Sequence, residues 1–288
     1  MADSARLSPF RRLGPEIPAS PVLLSVPHAG RGYSAALLGA ARLPRAKLEL
    51  LEDRLVDRLV WRAVAGGATA IVADVPRAEI DLNRDEREID PALVVPRPPP
   101  SDLADSPRTR GGLGLIPARI AGAGAIWRQR ISAGDVAARI EGVHRPYHAA
   151  LAAALAAARE RFGVAVLLDC HSMPPRNQAG GEAPIVLGDR YGASIAPAFV
   201  AAAEAAVREA GYKVARNHPY AGGEITVRHG RPAEGVHALQ LEIDRSLYLT
   251  PDLRSPGANF DRVARLVAAV AAALAREALQ PPQAIAAE

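Results

Sequence analysis

Two histidines sit where an imidazole could work as a metal ligand. His28 lies in SVPHAG (25–30), after a short apolar run and Pro27, with Gly30 and Gly32 leaving the backbone free to turn. His171 lies in DCHS (169–172), directly after the apolar run VAVLL. Neutral imidazole at a strand end is a common metal donor. Asp169 can orient the His171 ring through its other nitrogen, while Cys170 between them is expected to face the core. A turn-capping surface histidine would explain either segment alone. Two such histidines together weaken that explanation.

Catalytic zinc usually takes three protein ligands and leaves a position for water, so a third ligand is needed. LEDRLVD offers Glu52, Asp53 and Asp57. Asp53 and Asp57 are four apart and would share one helix face, where Arg54 and Arg58 could equally make them solvated ion pairs. Spacing does not choose among the three acids. PRAEIDLNR (76–84) follows another apolar run. Arg77 and Arg84 could polarise a carbonyl and clamp a carboxylate, since a guanidinium fork binds carboxylate bidentately. The following DEREID makes simple surface pairing the competing account. In HRPYH, His144 and His148 are one helical turn apart. The Glu of an HExxH site is missing and Pro146 intervenes, so they are read as pocket-lining residues rather than metal ligands. Glu242 stands inside the apolar run ALQLEI. A carboxylate there is costly unless paired or facing a cleft. Facing a metal-activated water it would be the general base; on an exposed edge it could pair with Arg245. GG at 222–223 reads as a tight loop over a site.

The elements that must position these residues follow from periodicity. VLLSV (22–26), AIVADV (70–75), VAVLL (164–168), 185–187, 213–215 and ALQLEI (238–243) read as strands. Residues 48–64 read as a helix stopped by Gly66 and Gly67, 132–161 as one or two helices broken at Pro146, 193–210 as an Ala-rich helix, and 258–279 as a C-terminal helix. Residues 91–112, with PRPPP and GG, form a long loop of the lid type. The strands are continuous apolar runs alternating with helices. That predicts an α/β fold with a mixed, mostly parallel sheet sandwiched between helices. One catalytic domain over 21–279 is expected, after a flexible arm over 1–20 and before a disordered tail over 280–288. In open α/β sheets ligands bind beyond the strand C-termini, where His28, Arg77 and His171 stand.

Composition removes other classes. The formal charge is +4 and the pI near 9.6. Lys47 and Lys213 are the only lysines among 35 basic residues. The arginines are scattered among acids and aromatics are 4%, which is not the pattern of a nucleic-acid groove. Cys170 is the single cysteine, so neither an internal disulfide nor a cysteine zinc knuckle can form. No apolar run has signal-peptide or membrane-spanning form. A soluble cytoplasmic protein binding neither nucleic acid nor membrane is expected. Its oligomeric state is not readable.

Taken together, SVPHAG, ED-x-x-VD, PRAEIDLNR, HRPYH, DCHS, and NHPYAGGEITVRHGRP leading into ALQLEIDRSLY resemble the N-formylglutamate amidohydrolase family over roughly residues 20–250. The resemblance implies a zinc-exopeptidase-like α/β/α fold, kin to carboxypeptidases and aspartoacylases. In those relatives the first strand is followed by a His and, three residues on, a Glu, both zinc ligands. Here His28 matches, but Arg31 stands at the second position, so the carboxylate is assigned to Asp53. The resemblance further implies His171 as the second imidazole ligand of Zn2+ or another divalent metal. It implies Glu242 as catalytic base, Arg77 as oxyanion donor, and Asn83 with Arg84 as substrate clamp. The implied reaction is hydrolysis of N-formyl-L-glutamate to formate and L-glutamate, a step of histidine degradation. Alternatives are another N-acyl amino acid or peptide-like amide, or a non-catalytic anion-binding protein on the same fold. The expected partner in each enzymatic case is a small carboxylate-bearing substrate.

Overall fold

A computed structural model describes residues 8–280. Seven strands form its main sheet: β1 (Phe10–Leu13), β2 (Val22–Val26), β3 (Thr69–Ala73), β4 (Ala165–Met173), β5 (Ile185–Gly188), β6 (Val214–Arg216) and β7 (Val236–Asp244). Their order is β1-β3-β2-β4-β7-β5-β6. β1 against β3 and β7 against β5 are antiparallel; the other neighbours are parallel. This is the expected mixed, mostly parallel sheet with helices on both faces.

Period-two alternation explains how one sheet serves both core and site. On one face Val22, Leu24 and Val26 of β2, Val166, Leu168 and Cys170 of β4, and Leu239, Leu241 and Ile243 of β7 are apolar throughout. They pack under α1 (Val56–Leu59), α2 (Trp61–Ala65), α4 (Pro197–Glu209) and α6 (Phe260–Ala278). In α6 the buried Val263, Leu266, Val267, Val270 and Leu274 recur at helical spacing. The opposite face changes character along each strand. Leu23, Leu167 and Ala238 lie under α3 (Arg145–Phe162) and the loops before it. Further along come Ser25, Asp169 with His171, and Gln240 with Glu242, all buried. Polar groups therefore gather at one end of one face.

Four expectations are corrected. Residues 10–13 are not a loose arm: they form edge strand β1, paired with 70–73, and Arg11 bonds Asp57 and Asp74. Residues 1–7, and the expected tail over 281–288, lie outside the described residues. Residues 48–64 are not one helix. After a turn at Glu49–Leu51 the chain extends at Glu52, and Leu55 is left-handed at φ 62°. The Asp53 N–H bonds the His28 carbonyl at 2.9 Å, so this backbone is held by the site rather than by helical pairing. Asp53 and Asp57 consequently do not share a helix face. Pro146 is no break. The chain runs from Ala133–Arg139 through a π-turn at Ile140–His144 into α3. The wider π-turn before Pro146 makes room for its ring and tolerates its missing donor, so the helix runs on. Finally, β4 continues through Met173, so His171 lies within the strand rather than after it.

Among the described residues no helix is long and apolar enough to cross a membrane. Leu168, fully buried at the centre of the sheet, tests the packing. Leu168→Ala is expected to cost about 2–5 kcal/mol, read as a fall in the denaturant midpoint at unchanged slope.

Candidate active site

Beyond the C-terminal ends of β2, β3, β4 and β7 opens a cavity of about 440 Å³. His28, Asp53, Arg77, Asn83, Arg84, His171 and Glu242 all line it. Of the three candidate acids, only Asp53 joins the histidines. Glu52 accepts from Tyr33 and Arg54. Asp57 accepts from Arg11 and Arg31, which occupies the arginine at the departed position.

His28 Nδ1 lies 3.2 Å and His171 Nδ1 3.0 Å from the same oxygen, Asp53 Oδ2. The far nitrogens are held by two further carboxylates: His28 Nε2 by Asp81 Oδ1 at 2.7 Å and His171 Nε2 by Asp169 Oδ2 at 2.8 Å. Three donor atoms thus lie within 4.8 Å of one another, with each imidazole oriented from behind. This donor set fits a divalent metal with carboxylate-oriented histidines. The other oxygen of Asp53 accepts from Arg245 Nη2 at 3.1 Å and Ser172 Oγ at 3.3 Å.

The electrostatics follow from burial and pairing. Burial opposes ionisation of Asp53, but its bonds to His171 and His28 hold it well below the usual carboxylate range. Asp81 is likewise held low, against burial, by Arg77, Arg84 and His28. Burial disfavours charge on His171, yet Asp169 and Asp53 raise it well above the ordinary imidazole value. Glu242 is aligned with His171 across the parallel β4–β7 pair, on an interior strand and 7% exposed. Its Oε1 accepts from Gln240 Nε2 at 3.0 Å. Burial lifts it to about 7; Asp53 adds to the rise, and His171 and Arg77 oppose it.

Arg77 is pinned to Asp81 through Nε at 2.9 Å. Asn83 Oδ1 accepts the Ile225 N–H at 2.9 Å, and Asn83 Nδ2 lies 3.3 Å from His171 Nε2. A side chain at Gly223 would collide with that amide, so the GG pair lets α5 (Glu224–His229) dock on Asn83. Arg84 donates to two backbone carbonyls, Leu113 at 2.9 Å and Asn83 at 2.6 Å. Burial draws it down to about 10, still charged at neutral pH.

His144 and His148 do not line the cavity. Both are buried behind the Leu82–Arg84 backbone, because α3 packs its early turns against that segment from the far side. His148 Nε2 donates to the Leu82 carbonyl at 3.0 Å, which leaves its Nδ1 to accept from His229 Nε2 at 3.0 Å. His144 Nε2 donates to the Arg84 carbonyl at 2.9 Å. Burial pulls His148 down to about 2 and His229 to about 4, so both stay neutral. They brace the strip carrying Asn83 and Arg84. Asp81, Gln240 and Tyr220 were given no role from sequence, and Arg245 was considered only as a partner for Glu242, whereas it binds Asp53. Strand parity with Glu242 would have found Gln240, and the i,i+4 spacing from Arg77 would have found Asp81; nothing local marks Arg245 or Tyr220.

His148→Leu should leave the Leu82 carbonyl and His229 unpaired. A loss of about 1–3 kcal/mol in stability and a lower kcat/KM are expected, with His148→Gln recovering part of both. Denaturation curves and steady-state rates on the two variants check this.

Comparison with known proteins agrees with the geometry. The N-formylglutamate amidohydrolase family matches residues 20–249. An N-formylglutamate deformylase of Pseudomonas putida is 32% identical over 236 residues, covering 80% of this chain and 82% of its own. The crystal structure of N-formylglutamate amidohydrolase from Ralstonia eutropha JMP134 superposes with a TM-score of 0.86 at 36% identity, over 94% of this chain and 98% of that one. A protein from Agrobacterium tumefaciens, 20% identical with a TM-score of 0.58 over 94% and 93% of the two chains, shares the fold. This chain belongs to the N-formylglutamate amidohydrolase family of hydrolases.

Proposed function

We propose that the protein hydrolyses N-formyl-L-glutamate to formate and L-glutamate, with a divalent metal, Zn2+ by donor type, held by His28, Asp53 and His171. The observation that carries the metal reading is the convergence of two Nδ1 atoms on Asp53 Oδ2, each ring backed by its own carboxylate. The substrate reading is supported by relatives named for that reaction. A metal bound there supplies Lewis acidity and makes water a nucleophile near neutral pH.

The chain's own residues do the rest. Glu242, poised near neutrality by burial, takes a proton from the attacking water and returns it to the leaving nitrogen. Gln240 keeps its carboxylate turned to the cavity. Arg77, steadied by Asp81, stabilises the oxyanion that develops on the formyl oxygen. Arg84, on the strip shared with Asn83, draws the substrate carboxylate to the floor of the cavity. Arg245 and Ser172 fix the oxygen of Asp53 that faces away from the histidines.

Glu242→Gln is expected to lower kcat for formate release by roughly 10²–10⁴-fold with metal content unchanged. Near-full activity in that variant would remove Glu242 from this role. Elemental analysis of the purified protein should find about one metal per chain, a stoichiometry set by the one three-ligand cluster among the described residues. His28→Ala and Asp53→Ala should lose it, and chelation should lower the melting temperature because the ion binds only the folded chain. A protein that purifies metal-free and keeps full activity through chelation would overturn the metal reading.

A further inference from the structure

Among the described residues four arginines line the cavity, and three also hold partners within the protein: Arg77 holds Asp81, Arg84 holds backbone carbonyls beside Asp81, and Arg245 holds Asp53 and Ser172. The fourth is Arg108. It stands in the single helical turn Pro107–Arg110, capped by Ser106 accepting from the Thr109 N–H. Its side chain is exposed at the mouth. Among the described residues no carboxylate lies within salt-bridge reach of it, whereas its neighbour Arg110 pairs with Asp105.

Arg108 is not a stray surface charge, because the backbone ties it to Arg84. The Leu113 N–H donates to the Arg108 carbonyl at 2.8 Å, and Arg84 Nε donates to the Leu113 carbonyl at 2.9 Å. Leu113 therefore joins the backbone that carries Arg108 to the guanidinium of Arg84, and both side chains line the same cavity. Arg84 has Asp81 beside it at 3.7 Å, so the cavity guanidinium with no carboxylate of the described residues in reach is that of Arg108, and an arriving carboxylate can pair with it.

We propose that Arg108 is a specificity-determining residue that binds the side-chain carboxylate of the substrate. The inference rests on the reading of the site as an N-formylglutamate hydrolase and deepens it. In that substrate the α-carboxylate is one carbon from the amide nitrogen and the side-chain carboxylate three. The strip of Asn83 and Arg84 touches His171 and so suits the nearer group. Arg108, further out on the same wall, suits the more distant one, with Leu113 and Ile120 beside the methylenes between. The selection is electrostatic: a neutral side chain of the same shape leaves the Arg108 guanidinium without an ion-pair partner.

The test is steady-state kinetics of wild type, Arg108→Gln and Arg108→Lys on N-formyl-L-glutamate and its isostere N-formyl-L-glutamine. Wild type is expected to prefer the acid. In Arg108→Gln the kcat/KM ratio of acid to amide should fall roughly 10- to 100-fold, through KM rather than kcat, with Arg108→Lys between. An unchanged ratio, or equal losses on both substrates, overturns the role of Arg108 while leaving the function standing. A wild type that turns over neither compound overturns the function itself, and this inference with it.

Discussion

The constraint on which this structure turns is the burial of four carboxylates in one place. Asp53, Asp81, Asp169 and Glu242 are each at most 7% exposed, and charges this far from water are expensive unless paired and fully bonded. Three guanidiniums, Arg77, Arg84 and Arg245, stand among them, and burial lifts Glu242 to about 7. His171 lies between Asp169 and Asp53, which favour its charged form against burial. Among the described residues His28, Asp53 and His171 form a group that could hold a metal ion.

The fold meets this constraint by dividing labour between the faces of one sheet. The apolar face of β2, β4 and β7 is unbroken and anchors the strands under α4 and α6. The opposite face can then turn polar at its C-terminal end without loosening the sheet. Parallel pairing of β4 with β7 aligns Asp169 with Gln240 and His171 with Glu242, so each functional side chain has its supporting one a strand-step behind. A one-residue slip would send His171 to the apolar side, where burial would penalise it. Hydrophobic register therefore fixes catalytic register.

The strands and their polar ends were legible because period-two alternation and continuous apolar runs are local signals. His28, His171 and Glu242 could be picked out as residues in the wrong company: polar groups inside or just after apolar segments. The segment around Asp53 was not legible as structure. Leu51, Leu55 and Leu59 have helical spacing, but the Asp53 N–H is captured by the His28 carbonyl, twenty-five residues away in sequence. Propensity could not foresee that long-range bond, so Asp53 was reached by family resemblance rather than by geometry. The paired histidines of HRPYH misled for a related reason. Helical spacing puts His144 and His148 on one face, but which side of the Leu82–Arg84 backbone that face meets is decided by tertiary packing.

Arginine is the basic residue here for physical reasons that composition alone does not reveal. A lysine buried beside Asp81 would readily give up its proton, whereas a guanidinium stays charged even where burial draws it down to about 10, as at Arg84. Its planar fork also lets one side chain hold two partners at once, as Arg84 does with the Leu113 and Asn83 carbonyls, and Arg245 with Asp53 and Ser172. A point charge could neutralise such sites but could not set their geometry. The net charge of +4 therefore says little about partners. What matters is which guanidiniums are held in place by partners within the protein, and which one lines the cavity without a carboxylate partner among the described residues.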